Sequence, residues 1–168
     1  MKFWKNIVRK SNLCWFNSDN ARTYFKLGVE QENLLAFSEA IEYFNKAIEL
    51  KHNYAMAYYG RGNAKSENSD YEGALQDFDE AIKINPNFGD TYFCRGIIKG
   101  RKLNDYQGAL KDFDKVISIY PNDAEAYFNR GVTKREVGDQ NGACLDWNKA
   151  RELGYSPAEI MIKEYCKK

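Results

Sequence analysis

Along the middle of the chain, apolar and small residues recur at helical spacing. Ala74, Phe78, Ala81 and Ile82 follow an i, i+4, i+7, i+8 stripe, the mark of a helix with one buried face. Ahead of it, Tyr58, Tyr59 and Gly62 fall on neighbouring turns of another helix. Asp70 or Ser69 can cap the later helix, while Pro86 and, one period on, Pro121 end such helices. The small residues have a steric meaning. Gly62 and Ala74 let the two helices of a pair approach closely, and Ala81 does so toward the next pair. The pattern therefore predicts helix-turn-helix units.

The pattern repeats. The stretches AYYGRGNAKSENSDYEGALQDFDEAIKINPN from Ala57, TYFCRGIIKGRKLNDYQGALKDFDKVISIYPN from Thr91 and AYFNRGVTKREVGDQNGACLDWNKARELG from Ala126 align, and a more divergent copy starts at Thr23. Gly28, Gly62, Gly96 and Gly131 are separated by 34, 34 and 35 residues, and Ala40, Ala74, Ala109 and Ala143 by 34, 35 and 34. The one-residue excess falls near Leu103-Asn104. A lone helix pair cannot bury its apolar face, so copies at this period must stack.

The Tyr-x3-Gly, Ala-x3-Phe-x2-Ala and Pro pattern at this period resembles the tetratricopeptide repeat family over residues 21 to 156. The departures are local: Val116 for the second-helix alanine, His52 and Tyr155 where Pro would stand, and Trp147 in the Phe place. The resemblance implies an all-α fold, a right-handed α-solenoid of four helix-turn-helix repeats with a C-terminal capping helix. The expected boundaries are a basic amphipathic extension 1–20, repeats 21–54, 55–88, 89–123 and 124–156, and a cap 157–168.

Charge patterning adds a pairing within the repeats. Repeats two to four carry Arg61, Arg95 and Arg130 just before the glycine, and Asp77, Asp112 and Asp146 just before the second-helix aromatic. The first repeat has Leu27 and Tyr43 at those two places, so both positions switch together. Antiparallel helices bring the two to similar heights, which predicts Arg–Asp pairs at 61/77, 95/112 and 130/146. A partly buried pair of this kind specifies register more than it adds stability.

Solenoid ends need covers. Ser156 is expected to cap a last helix with Pro157 in its first position, and Ile160, Met161, Glu164 and Tyr165 mark the covering face. Cys144 and Cys166 each lie eleven residues from Tyr155, where the chain turns, so they should be near neighbours. Two readings stay open, a disulfide or two thiols packed in the cap, and a reducing compartment favours the second. At the other end Phe3, Trp4, Ile7 and Val8 share a helical face, and residues 1–20 carry four basic and one acidic side chain. They either anchor the chain to a membrane or partner, or pack on repeat one; the short stripe favours packing.

Composition narrows function. The 25 basic and 24 acidic side chains leave a net charge of +1, without the basic excess of a nucleic-acid binder. The Arg95, Lys99, Arg101 and Lys102 cluster reads as a solvated helix face. A single histidine, His52, removes most acid–base, triad and zinc chemistry, and the cysteines show no paired-ligand spacing. No nucleophile–base pair or phosphate-cradling loop stands outside the repeat pattern. No enzyme activity, cofactor, metal or nucleic-acid partner is expected. The longest apolar run near the start is four residues, short of a signal peptide's h-region of about 7–15. The expectation is a cytoplasmic protein, with a membrane role resting on residues 1–20 alone.

Aromatics reach 15% of the chain, led by 12 Tyr. Each first helix holds an adjacent pair: Tyr24-Phe25, Tyr58-Tyr59, Tyr92-Phe93 and Tyr127-Phe128. Neighbours on a helix point about 100° apart, so the two members serve different contacts. The family resemblance implies that the first packs in the stack and the second faces a concave ligand groove. Phe25, Tyr59, Phe93 and Phe128 would then form a ladder, with Val29, Asn63, Ile97 and Val132 one turn on. Arg22, Lys26, Met56, Asp90, Arg101, Glu125, Asn129 and Arg135 would line its sides. A family subset grips C-terminal carboxylates with Lys and Asn; the matching places here offer two asparagines and no Lys, so that mode is not expected. The leading expectation is a non-enzymatic interaction module that binds a protein or peptide segment through aromatic and Arg anchors. The alternative is a structural or assembly subunit that self-associates, or is tethered, through residues 1–20.

Overall fold

The computed structural model describes residues 20–166. They are helical throughout and form four consecutive pairs followed by a ninth helix. The first pair is α1, spanning 20–33, and α2 (Phe37–Leu50). The second is α3 (Ala55–Glu67) with α4 (Tyr71–Ile84). The third is α5 (Gly89–Lys102) with α6 (Tyr106–Ile119), and the fourth is α7 (Ala124–Glu136) with α8 (Gln140–Glu152). The last is α9 (Ala158–Tyr165). The chain divides into two compact units, Met1–Pro86 and Asn87–Lys168.

Local chemistry sets the boundaries. Asp70, Asp105 and Asp139 each accept a bond from the amide of a glycine three residues on, at 2.9, 2.9 and 2.8 Å, and so cap α4, α6 and α8. Asp70 takes this role, while Ser69 supplies the turn in left-handed backbone (φ 64°). Leu35, Asn104 and Gly138 turn the same corner in the other pairs. The extra residue of the third repeat is absorbed by α5, which has 14 residues where α3 and α7 have 13. α4 and α6 stop two residues short of Pro86 and Pro121, because the residue before proline is driven out of helical backbone.

Each pair closes through one aromatic against one glycine. A Cβ on Gly28 would lie 2.6 Å from the Phe44 ring, one on Gly62 2.7 Å from Phe78, and one on Gly131 2.7 Å from Trp147. Phe44, Phe78 and Trp147 are fully buried, and only a glycine lets the facing helix come that close. In the first unit Ala40, Phe44 and Ala64 form one cluster, joined by Phe25, Val29, Phe37 and Ile41. In the second unit Ala143, Trp147, Ala150 and Ala158 bind α8 to α9.

The last helix differs from its expected form. It begins at Ala158, with Pro157 in the capping position and no side-chain cap. The entry is closed instead by turn bonds from the amides of Ala158, Glu159 and Ile160 to the carbonyls of Tyr155, Ser156 and Pro157. Ile160 is 65% exposed, and Ile162 joins Met161 and Tyr165 against the core. Ala158 packs first and sets that face. A disulfide joins Cys144 to Cys166, with Cα atoms 5.7 Å apart. The expectations for residues 1–19 lie outside the described residues.

Candidate functional site

The second aromatic of each first-helix pair leans on an aromatic behind it. In the first unit Phe25 sits 5.8 Å from Phe44 and 5.2 Å from Tyr54, and Tyr59 sits 6.1 Å from Phe78. Val29 packs beside Phe25, Asn63 is half-buried, and Met56 is 51% exposed. In the second unit Phe93 lies 5.9 Å from Phe113, and Phe128 lies 5.0 Å from Tyr155. All four ladder residues are half-buried, so each is partly core and partly surface.

Behind these faces runs a repeated charge cluster. Arg61 donates from Nε and Nη2 to the two oxygens of Asp77 at 2.9 and 2.5 Å. Arg95 does the same to Asp112 at 3.0 and 2.5 Å, and Arg130 to Asp146 at 2.8 and 2.7 Å. A lysine four residues after each arginine adds a second cation: Lys65, Lys99 and Lys134 lie 2.8, 2.9 and 2.9 Å from the same carboxylates. Each guanidinium rests over the tyrosine three residues before it, with 5.4 Å from Cζ to the ring centre at Tyr58, Tyr92 and Tyr127. Arg61 also bonds Asn45, and Arg130 bonds Asp114, both at 2.6 Å, so these two arginines reach the preceding pair. The hydrogen bond to Asp146 is the main reason that the Arg130 pKa stands above its ordinary value. The aspartates are 3–4% exposed and the clusters are saturated, which makes them structural parts rather than ligand contacts.

The lysines and the tyrosine stacking escape an argument built on the Arg–Asp pair alone. Their signal was present: Tyr, Arg and Lys fall at i, i+3 and i+7, on one helix face.

On the first unit, burial and then the neighbouring Glu67 carboxylate push the Glu32 carboxyl up to about 7. On the second, a cleft of about 270 Å³ opens between α5 and α7. Ile97, Arg101, Asn129 and Val132, all expected groove residues, line it together with Gly100 and Thr133. Asn129 is buried; its amide donates to the Glu125 carbonyl at 2.8 Å and its oxygen accepts from Arg101 at 2.8 Å, so it positions Arg101. Arg135, expected on the groove side, instead stacks 4.0 Å from the centre of the Tyr165 ring and pairs with Glu136. The covering helix has claimed it.

Among the described residues no group of three or more His, Cys, Asp or Glu side chains is placed to hold a metal, and no helix is long and apolar enough to cross a membrane.

Comparisons with known proteins agree with this architecture. No curated protein matches the sequence. Models of the tetratricopeptide repeat match residues 21–54 and 55–88, and a TPR repeat model matches residues 101–138. Among solved structures, a crystal structure of MamA is similar at 25% identity, with 93% of this chain and 87% of that one covered and a TM-score of 0.78. The Arabidopsis OM64 TPR domain is similar at 22% identity, over 71% of this chain and 98% of that one, with a TM-score of 0.69. The first TPR of Spaghetti (RPAP3), solved bound to the HSP90 peptide SRMEEVD, is similar at 21% identity, over 72% and 95%, with a TM-score of 0.70. With its four helix pairs, glycine-to-aromatic closures and these matches, the chain belongs to the tetratricopeptide repeat family.

Proposed function

We infer that the chain is a non-enzymatic interaction module that binds protein segments through the first-helix faces of each unit. The observation that carries this reading is the doubling of aromatics. Phe25, Tyr59, Phe93 and Phe128 are each partly exposed and each braced from behind by another ring. Rigid, partly exposed aromatics give large contact area with little ordering entropy, as at interface anchors. Met56 adds an exposed adaptable apolar side chain beside Tyr59's turn. The peptide held by the RPAP3 repeat domain supports the same use of a related fold.

The test is a pull-down that compares wild type with Tyr59→Ala/Phe93→Ala, with Met56→Ala as a variant that leaves the core intact. The bracing rings mean that the double variant also loses packing, so circular dichroism must show that it is folded at the assay temperature. Partners lost by the folded double variant and weakened by Met56→Ala support the reading. Partners retained by both refute it.

A further inference from the structure

The wall of the second unit's cleft includes one glycine that no ring packs against. Gly100 lines it in the last turn of α5. At the same place in the other repeats stand Glu32, Ser66 and Arg135, at spacings of 34, 34 and 35 residues. Glycine inside a helix is destabilising relative to alanine, so it needs a reason. At Gly28, Gly62 and Gly131 the reason is an aromatic ring against the backbone. At Gly100 no such reason exists: an added Cβ would meet only Ala109 Cβ at 3.4 Å and Thr133 Oγ1 at 3.8 Å, both ordinary contacts. The glycine leaves its stretch of the cleft wall without a side chain.

That space has a defined chemistry. Its walls include Ile97, Phe113 and Val132, and its volume is about 270 Å³. An apolar cavity of about 150 Å³ is enough to hold a benzene ring. At the rim Glu136 is paired with Arg135, 3.1 Å away. Arg101 is exposed, is held by the neutral Asn129, and has no carboxylate partner among the described residues. The uncompensated rim charge is therefore positive, carried by a guanidinium already fixed at one nitrogen.

We propose that this cleft receives one aromatic or leucine-sized side chain of a bound protein segment that carries an Asp or Glu next to it, the carboxylate meeting Arg101. The proposal rests on the peptide-binding reading above and names its partner's chemistry. Gly100 is then a specificity-determining residue, kept at the expense of helix stability.

Random linear peptides displayed on phage, selected against the full chain and then synthesised, supply the probe. Peptides enriched by wild type should place Phe, Tyr, Trp or Leu beside Asp or Glu. Gly100→Leu, which fills the cleft, should weaken them about tenfold or more. Gly100→Ala should raise the melting temperature yet lower affinity, a combination that a purely structural glycine does not give; this variant decides the matter even if the leucine variant unfolds. Arg101→Gln should keep the apolar preference and lose the acidic one. If enriched peptides bind Gly100→Ala and Gly100→Leu as tightly as wild type, the cleft is not their site, while the wider peptide-binding reading stands. If no peptide is enriched at all, both fall together.

Discussion

At the scale of single residues, Asp112 does more than its charge suggests. It is 3% exposed and holds two cations, Arg95 through both oxygens and Lys99 at 2.9 Å. Removing one partner of a buried cluster leaves the others charged and unpaired, which costs about 3 kcal/mol or more. Asp112→Ala should therefore lower stability in urea unfolding by about that amount, while the exposed neighbour variant Lys111→Ala should stay within about 0.5 kcal/mol. Equal effects would contradict the account. Asp105 is not a neutral control for this comparison, because it caps α6 through the Gly108 amide, a role that itself carries about 1 kcal/mol. The Arg–Asp pairing was legible because Leu27 and Tyr43 replace both members together. The stacking of Tyr58, Tyr92 and Tyr127 under the arginines was legible only in the i, i+3 spacing of Tyr and Arg, since residue type alone does not tell an aromatic in a stack from one beneath a guanidinium.

At the scale of elements, the glycine and aromatic positions set how closely helices pair, and the period made them readable. The covering helix was less readable. Ser156-Pro157 reads as a cap and first turn, but turn bonds at Tyr155 to Pro157 delay α9 by one residue and rotate Ile162 inward in place of Ile160. Such a shift depends on how Ala158 packs against α8, which no local signal states. The last turn of α1 carries a further consequence. Glu32, beside Glu67 of α3, has its pKa raised from 4.5 to about 7 in the folded chain. Between those values the folded state binds a proton that the unfolded state has lost. Glu32 thus favours folding below about 4.5, and this contribution is lost as pH rises through about 7. The carboxyl is only half-buried and water screens it, so the effect is about 1 kcal/mol. Glu32→Gln should remove this part of the pH dependence and should raise the unfolding midpoint relative to wild type at about pH 8. A wild-type and variant pair whose midpoints run parallel from about pH 5 to about pH 8 would contradict the assignment.

At the scale of the whole molecule, two compact units, Met1–Pro86 and Asn87–Lys168, each hold their own glycine-to-aromatic closures and their own partly exposed aromatics. Fold class was legible because four copies of one pattern leave little choice of architecture. The proposed binding site was only partly so. Ile97, Arg101, Asn129 and Val132 do line one cleft, and the glycine beside them stands out only in the repeat register, while nothing local shows that α9 takes Arg135. The partner itself is not written in the fold, since one scaffold carries many ligands. The most direct test of the central claim is amide hydrogen exchange on the full chain with and without a saturating enriched peptide. Added protection is expected in the first helices, α1, α3, α5 and α7, around Phe25, Tyr59, Phe93 and Phe128, with little change in α2, α4, α6 and α8. Protection concentrated on the second helices, with the first helices unchanged, would contradict it.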